Sequence, residues 1–422
     1  MESCNTKSSL DLPLESLSLQ SFLQSLHKEQ WQEVRLGEVA EIVSGGTPKT
    51  SIPEYWNGEI PWLSVADFNN GKKYVVASEK FITQLGLQES STKLLQRDDI
   101  IISARGTVGV IAMIPYPMAF NQSCYGLRIC SNAHSHFIYY CLKVFTKYFI
   151  HQSYGAVFDT ITTKILSDFT FLLPPLTIQQ KIAEILSSFD DKIDLLHRQN
   201  KTLESLALTL FRHYFIDNPK RDEWEEKPLS EIAEIQNGYA FKNSDYAERG
   251  METYEVLKMG HIESGGGLRY FPKAHYVKIN DKMTKWVLNE DDIVLAMTDM
   301  KDSLGILGYP AMVDKSNYYV LNQRVARIYL KSKDDFLHNY FLFLYLSLQE
   351  NIQKLQSLAN GGVQVNLSTE AIKNFTITIP PLEFQSQNNQ AFINIIKKYK
   401  NNRKQIQNLQ AMRDMLLKAI FA

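Results

Sequence analysis

Two pairs of adjacent carboxylates are the side chains in this sequence best suited, by type and spacing, to hold a metal ion. Asp98-Asp99 and Asp291-Asp292 each stand directly before an apolar run. Carboxylates are good ligands for divalent cations, but acidic residues are also common in the turn that precedes a strand. We interpret both pairs as turns, and the sequence predicts no metal site.

The motifs that mark catalytic machinery are missing from the sequence. Ser44–Thr50 resembles a phosphate-binding loop in composition only, because it lacks the GxxxxGK(S/T) spacing. Pro174-Pro175 and Pro380-Pro381 follow Leu173 and Ile379. Neither pair is therefore the Asn/Asp-Pro-Pro-aromatic element that holds a flipped adenine in an amino-methyltransferase. The nine histidines form no HExxH motif. The sequence thus predicts that this chain performs no reaction itself.

Length and charge limit the number of domains and the classes of function that remain possible. The chain has 422 residues, which at roughly 100–200 residues per domain predicts two to four domains. Its net charge of −1 excludes a chain that holds DNA by bulk electrostatics alone. The sequence has no apolar run of about 18 residues, so we expect no membrane span. Its four cysteines form no CxxC pair, which argues against structural zinc and fits a reducing cytoplasm.

The chain is an internal duplication. Matching residues recur in the same order, at an offset that grows from 193 to 206 residues as small loop insertions require. The first parts of both copies mix short apolar runs with glycine and proline, so each predicts a globular mixed α/β (α+β) domain. The matches run from Trp31 and Trp224, through Asp98-Asp99 and Asp291-Asp292 and through Asn121-Gln122 and Asn322-Gln323, to Pro174-Pro175-Leu176 and Pro380-Pro381-Leu382.

After each Pro-Pro pair, apolar residues adopt a 4,3 spacing that predicts a long helix of about 35–40 residues with a heptad seam. An internal duplication closed by a pseudo-two-fold axis would make the two helices an antiparallel coiled coil. A register in which facing residue numbers sum to 602 opposes apolar to apolar residues. The seam residues are Ile182, Leu186, Ile193, Leu196, Asn200, Leu203, Asn402, Ile406, Leu409 and Leu416.

Two positions of this register are polar. Asn200 faces Asn402, a pair that would fix the alignment at a cost in stability; the alternative is that one or both amides face water. Phe189 opposite Arg413 is a poor match, relieved if the arginine head reaches solvent.

These patterns divide the chain into five segments. Residues 1–30 form an N-terminal extension rich in Ser and Gln, which either docks on the body or on a partner or is disordered. The others are a first globular domain (31–175), a central helix (176–218), a second globular domain (219–381) and a C-terminal helix (382–422).

In combination, these motifs resemble those of the DNA-specificity subunit of prokaryotic type I restriction–modification systems, over about residues 31–422. The resemblance is carried by Ala40-Glu41-Ile42…Gly45-Gly46-Thr47-Pro48, Ile60-Pro61-Trp62-Leu63-Ser64…Asp67, Arg97–Gly109, Asn121-Gln122 and the closing Pro-Pro-Leu-x-x-Gln of each copy.

The resemblance implies two target-recognition domains that each read one half of a split, asymmetric DNA site. The helices would hold them apart and dock modification subunits, expected in two copies, which would bind S-adenosylmethionine and methylate adenine. Restriction subunits would add translocation and cleavage driven by ATP and Mg. The chain itself would be a non-catalytic, cytoplasmic component with double-stranded DNA as its ligand and no cofactor.

Surface loops rich in Gly, Lys and amides are the candidate DNA contacts. Arg105 and Gln364 are assigned to bases, because arginine can fork onto guanine and glutamine onto adenine. A loop that is only a solvated connection is the alternative in each case. The assigned phosphate contacts are Lys49, Lys72, Lys73, Lys258 and Lys301, and Thr50, Thr107 and Tyr154 complete the set.

The two copies differ at one probable groove-facing loop. Met297–Lys301 stands where the first copy has Ala104–Thr107, so we expect two half-sites of different sequence. The same Asn-Gln pair occurs in both copies, as Asn121-Gln122 and Asn322-Gln323. Residues that read bases should differ between two domains that recognise different half-sites. We therefore expect these amides to brace a turn.

Two other classes of function remain open on the sequence. One is a DNA methyltransferase or nuclease whose motifs are too divergent to see. The other is a coiled-coil scaffold with no nucleic-acid role.

Overall fold

The computed structural model describes residues 21–153, 160–269, 272–300, 304–331 and 339–421. It forms two compact units, and the division falls within both long helices. The first unit is the chain up to Asp194 together with Gln407–Ala422, and the second is Leu195–Ile406. Each unit is mixed α/β, which confirms the predicted fold class.

Ten strands lie in the described part of the first unit. Two four-stranded sheets have the orders β2-β9-β6-β7 and β4-β3-β8-β5, and β1 pairs with β10. The strands are β1 (Gln32–Arg35), β2 (Ala40–Ser44), β3 (Trp56–Leu63), β4 (Lys80–Ile82), β5 (Leu94–Leu95), β6 (Ile100–Ser103), β7 (Ile111–Met113), β8 (Met118–Phe120), β9 (Cys124–Ile129) and β10 (Thr170–Leu173). The shorter helices are Leu36–Val39, Val65–Phe68, Gln84–Gln88, Ser135–Val144, Thr146–Ser153 and Thr163–Ser167.

The second unit repeats this topology. Its sheet β12-β20-β16-β18 corresponds strand for strand to β2-β9-β6-β7. A second sheet has the order β13-β15-β14-β19, and β11 with β22 and β17 with β21 form two-stranded ribbons. The strands are β11 (Glu225–Pro228), β12 (Ala233–Asn237), β13 (Tyr246–Ala247), β14 (Tyr254–Leu257), β15 (Tyr276–Val277), β16 (Ile293–Ala296), β17 (Thr298–Met300), β18 (Pro310–Met312), β19 (Tyr319–Leu321), β20 (Val325–Leu330), β21 (Gln364–Asn366) and β22 (Thr376–Ile379). The shorter helices are Leu229–Ile232, Asn339–Ser347, Gln349–Ser357 and Thr369–Lys373.

The unbroken apolar run in each copy is a strand buried on both faces. In β6, Ile100 and Ile102 enter one hydrophobic core and Ile101 enters another, because successive side chains of a strand point to opposite faces. In β16, Ile293 and Val294 divide between two cores in the same way. A sheet covered on both sides requires such continuous apolar sequence rather than alternation.

The two long helices have the predicted lengths. The central helix, Leu176–Phe211, has 36 residues, and the C-terminal helix, Leu382–Phe421, has 40. The central helix begins directly after Pro174-Pro175, and the closing glutamine of the motif, Gln179, fixes that junction. Its buried amide accepts from the His134 N–H and donates to the Pro174 carbonyl, at 2.8 Å each.

In the first unit, seam residues of both long helices share the core of the α/β domain. Ile182 and Leu186 of the central helix lie in the same hydrophobic cluster as Leu416 and Ile420 of the C-terminal helix. Ile193 is also buried, and Leu409 packs against that cluster. The helices are antiparallel within this unit, because the earlier residues of one lie with the later residues of the other.

In the second unit, the predicted asparagine pair is in contact. Asn402 Nδ2 donates to Asn200 Oδ1 at 2.9 Å, and both side chains are buried. Leu196 and Ile406 are buried beside them, and Leu203 packs against the main core of this unit. The amides therefore do not face water, and their residue numbers sum to 602.

The expected solvent position of the Arg413 head is wrong, and an alternative that the sequence left open for the N-terminal extension is resolved for its described end. The arginine head of Arg413 does not reach solvent: it is buried and paired with Asp190, one residue from the predicted neighbour Phe189. The described end of the N-terminal extension is docked, since Leu26 lies in the first core and its carbonyl accepts from the Trp31 indole at 2.9 Å.

Candidate nucleic-acid interface

The first unit brings two of the candidate loops together. The N–H of Ile161 donates to the Ala104 carbonyl at 3.0 Å, and Arg105 and Thr160 form an antiparallel bridge. Ala104 and Ile161 are core residues, whereas Arg105 and Thr107 are exposed. The core thus anchors the base of a pair of chain segments whose outer side chains face solvent.

The second unit repeats this arrangement at the corresponding positions. The N–H of Leu367 donates to the Met297 carbonyl at 2.8 Å, and both residues lie in the second core. Beyond this anchor, β17 and β21 pair antiparallel, with Met300 opposite Gln364. We call these two structures the first reading ribbon (Ala104–Thr107 with Thr160-Ile161) and the second reading ribbon (Met297–Met300 with Asn360–Leu367).

Different side chains brace the two ribbons. In the first, the Ser103 hydroxyl donates to the Thr107 carbonyl and accepts from the Val110 N–H, and Gly106 takes a positive φ of 75° in the loop. In the second, the buried carboxylate of Asp299 accepts from the N–H groups of Met300, Ile306 and Leu307 at 2.8, 2.8 and 3.2 Å. The sequence comparison missed Asp299, because it stands where the first copy has Gly106.

A short loop completes the second reading ribbon. Asn360 and Asn366 exchange two main-chain hydrogen bonds of 3.0 and 2.9 Å, which close the loop that carries Val363 and Gln364. Gly361 in that loop has a φ of 146°, and a Cβ there would stand 2.1 Å from the Gln364 carbonyl oxygen. Only glycine fits this conformation, so the loop that carries Gln364 has a defined backbone.

In the first copy, the asparagine of the repeated Asn-Gln pair braces a turn. Asn121 Oδ1 accepts from the Ser123 N–H at 3.1 Å. The backbone at both pairs also lies against a repeated glycine: a Cβ on Gly45 or Gly238 would be 2.1 Å from the carbonyl oxygen of Asn121 or Asn322. This close approach accounts for two sequence matches without any contact to DNA.

The candidate phosphate contacts divide into four groups, of which the buried Lys73 is the last. Lys49, Thr50 and Lys72 are exposed. Lys258 is half-buried, with its Nζ 4.4 Å from the centre of the Tyr246 ring. Tyr154 and Lys301 lie outside the described residues.

Lys73 is a correction, because its ammonium is buried and used within the first unit. Its Nζ donates to Ser187 Oγ of the central helix at 2.7 Å and lies 3.2 Å from His136 Nδ1. Burial lowers the pKa of Lys73, against the opposing effect of Asp190 and other carboxylates. A side chain that is 8% exposed does not reach a phosphate, so we assign Lys73 to the packing of the central helix on the domain.

The acid pairs are turns. Asp98 and Asp291 have positive φ angles of 68° and 72°, as turn residues before a strand do. Asp99 Oδ2 accepts from the Gln96 N–H at 2.8 Å, and Asp292 Oδ2 accepts from Asn289 at 2.6 Å. Among the described residues, no group of three or more His, Cys, Asp or Glu side chains is placed to hold a metal ion.

Comparison with known proteins places the chain in a family. The model of the type I restriction modification DNA specificity domain matches residues 28–205 and 221–411. A type I restriction enzyme specificity subunit (MjaIX) of Methanocaldococcus jannaschii is 26% identical over 420 residues, covering 92% of each chain. The EcoR124I/EcoR124II specificity subunit of Escherichia coli is 33% identical over 162 residues, 37% of this chain and 40% of that protein.

A solved structure is similar over most of the chain. The S subunit of a type I restriction-modification system from M. genitalium covers 93% of this chain and 96% of its own, with a TM-score of 0.48 and 16% identity.

The family match covers most of the chain in two copies, so the chain belongs to the type I restriction–modification DNA specificity family. It is of the class of specificity subunits, the non-catalytic DNA-recognition components of these systems. In the part of the chain that the structure describes, no helix is long and apolar enough to cross a membrane.

Proposed function

We propose that each unit reads one half of a bipartite, asymmetric DNA site through its reading ribbon. The observation that supports this is the repeated main-chain anchor, Ile161 to Ala104 and Leu367 to Met297, beyond which the two ribbons carry different exposed side chains. Two domains that read different half-sites need the same backbone support with different exposed side chains. Arg105 then contacts guanine in one half-site, and Gln364 contacts adenine in the other.

Cations on the same units supply contacts to the sugar–phosphate backbone. The exposed Lys49 and Lys72, with Thr50 and Thr107, serve the first unit, and the half-buried Lys258 serves the second. Such contacts position the protein on the duplex without carrying sequence information. The near-zero net charge of the chain implies that partner subunits provide further phosphate contacts.

The long helices dock the modification subunits, which are expected in two copies. Support comes from the central helix in the second unit, where Leu195 and Leu206 are 39% and 46% exposed. At 3.6 residues per turn, their spacing of 11 residues puts them on one face of the helix. Covering two exposed leucines on one helix face with a protein partner is more favourable than leaving them in contact with water.

The chemistry belongs to those partners. The modification subunits bind S-adenosylmethionine and methylate adenine, and restriction subunits use ATP and Mg for translocation and cleavage. The assembled complex acts on chromosomal and incoming DNA in the cytoplasm.

The test is DNA binding with and without the modification subunit. Sequencing methylated adenines in a host that carries the complex gives the target, and duplexes with one half-site scrambled are then used for binding. The chain alone should bind weakly, and the complex should bind the intact site selectively. Full binding and methylation by the lone chain, or cross-linking of labelled S-adenosylmethionine to it, would contradict the proposal.

Two variants assign the units to the half-sites. Arg105→Ala should relax discrimination at one position of one half-site, and Gln364→Ala at one position of the other, each by about 1–3 kcal/mol. The matched controls are Arg97→Ala and Gln353→Ala, which remove exposed side chains of the same types outside the ribbons. A uniform loss across all sequences would instead assign the altered residue to phosphate.

A further inference from the structure

The second reading ribbon exposes apolar side chains at its outer end. Met300 is 51% exposed and Val363 is 76% exposed, and both stand next to the pairing position of Gln364. Within the same ribbon, Met297, Val365 and Leu367 are buried in the core. Met300 and Val363 therefore keep much of their surface open to solvent, unlike these core residues.

The exposed residues sit on a rigid support. The Asp299 carboxylate fixes the chain on both sides of the Met300 loop, and the two hydrogen bonds between Asn360 and Asn366 close the loop that presents Val363. A site held by core residues and internal hydrogen bonds keeps its side chains in place before a ligand arrives. The backbone that carries Met300 and Val363 is therefore held in place on both segments of the ribbon.

The described part of the second reading ribbon presents no charged side chain to solvent. Among the ribbon residues that the structure describes, Asp299 alone carries a charge, and its carboxylate is turned inward onto three main-chain N–H groups. The exposed side chains described at the outer end include two apolar groups, Met300 and Val363, and the amide of Gln364.

Duplex DNA has one apolar group on its base edges in the major groove, the C5-methyl group of thymine. That groove admits a two-stranded β-ribbon. We infer that Met300 and Val363 contact thymine methyl groups in the half-site read by the second unit, beside an adenine contacted by Gln364. This inference rests on the proposed function. It specifies that the half-site read by the second unit contains A·T pairs.

The test removes the methyl group and nothing else. In the complex with the modification subunit, each thymine of the target is replaced in turn by deoxyuridine, and the dissociation constant is measured by competition. At one or two positions of one half-site the replacement should weaken binding by about fourfold per methyl group. The same replacement should have no effect in the M300A/V363A variant, which should bind both duplexes alike.

Two controls isolate the effect. Met251→Ala removes an exposed methionine from a turn outside the ribbon of the same unit, and it should retain the full thymine preference. Discrimination in the half-site that Arg105→Ala affects should be unchanged in M300A/V363A, which shows that the variant is folded and assembled.

The results separate this inference from the function on which it rests. Site-selective binding with no effect of deoxyuridine in either half-site overturns the thymine contact and leaves the proposed function standing. Loss of modification-subunit binding by M300A/V363A also overturns it, because the apolar pair would then be covered by protein. If the complex binds no DNA sequence selectively, the proposed function itself is refuted.

Discussion

Arg413 of the C-terminal helix and Asp190 of the central helix form a buried ion pair in the first unit, with Nη1 and Oδ1 2.6 Å apart. The Tyr140 hydroxyl donates to the other carboxylate oxygen at 2.8 Å, and the guanidinium also donates to Asp414. The pair joins both long helices to the α/β domain at the point where the predicted register opposed Phe189 to Arg413.

Breaking this pair should destabilise the first unit strongly. Asp190→Ala leaves a buried guanidinium with the exposed carboxylate of Asp414 as its remaining partner, and such a change costs about 3–5 kcal/mol. Denaturant unfolding of the whole chain measures the loss. The control is Asp191→Ala, which removes the adjacent, exposed carboxylate and should change the unfolding free energy by less than about 0.5 kcal/mol.

The same pair predicts a pH dependence of stability. Burial opposes ionisation of Asp190, but Lys143, Arg413 and the hydrogen bonds from Arg413 and Tyr140 together hold the pKa of Asp190 below its ordinary value. Its contribution is therefore fully present above the unfolded pKa of about 3.9 and is lost as the pH falls below it. Unfolding free energy measured from pH 7 to pH 3 should fall more steeply in the wild type than in Asp190→Asn. Parallel curves would contradict this role.

The asparagine pair of the second unit should act as a unit. Asn402→Leu leaves Asn200 without its buried partner and should cost about 1–3 kcal/mol. Replacing both residues by leucine removes the unpaired amide, so the double variant should recover most of that loss. A double-mutant cycle in denaturant measures the coupling. Additive losses would show that the hydrogen bond contributes no coupling free energy.

The duplication and the heptad seam could be predicted because they are patterns of residue type that repeat along the chain. Ile182 and Leu416 are apolar at fixed spacing, and such spacing places them on one helix face whatever else the fold does. The burial of Lys73 had no such signal. Its partner Ser187 is 114 residues away, and a lysine in a polar loop is ordinarily exposed.

The reading ribbons were predicted as separate loops and not as pairs. Arg105 and Thr160 differ widely in sequence position, and their bridge depends on a single strand-like contact rather than on a periodic pattern. Asp299 was missed for a related reason. Its role follows from the three N–H groups that surround its carboxylate, which no spacing rule brings together.

Asp299 should control recognition of one half-site alone. Asp299→Ala leaves the N–H groups of Ile306 and Leu307 without this acceptor, so the outer end of the second ribbon should lose its fixed position. We expect about 10-fold or greater loss of discrimination in the half-site that depends on Gln364, with the other half-site unaffected. Binding to duplexes scrambled in each half-site measures both. Equal losses in the two half-sites would indicate general unfolding.

Charge on the exposed leucine face should block assembly. Leu195→Glu and Leu206→Glu place a carboxylate on the proposed docking surface, and both positions are open to water, so folding should be unchanged. Pull-down with the modification subunit should show loss of binding. Ser205→Glu, an exposed neighbour on a different face of the helix, is the matched control. Retained binding by both leucine variants would place the docking surface elsewhere.

The two main-chain anchors, Ile161 to Ala104 and Leu367 to Met297, involve no side-chain chemistry beyond the burial of apolar groups. Mutations at the tips can therefore accumulate without a penalty to the scaffold beneath them. If each ribbon reads its own half-site, as proposed, substitutions at the tip of one copy would change one half of the DNA target while the other half is kept.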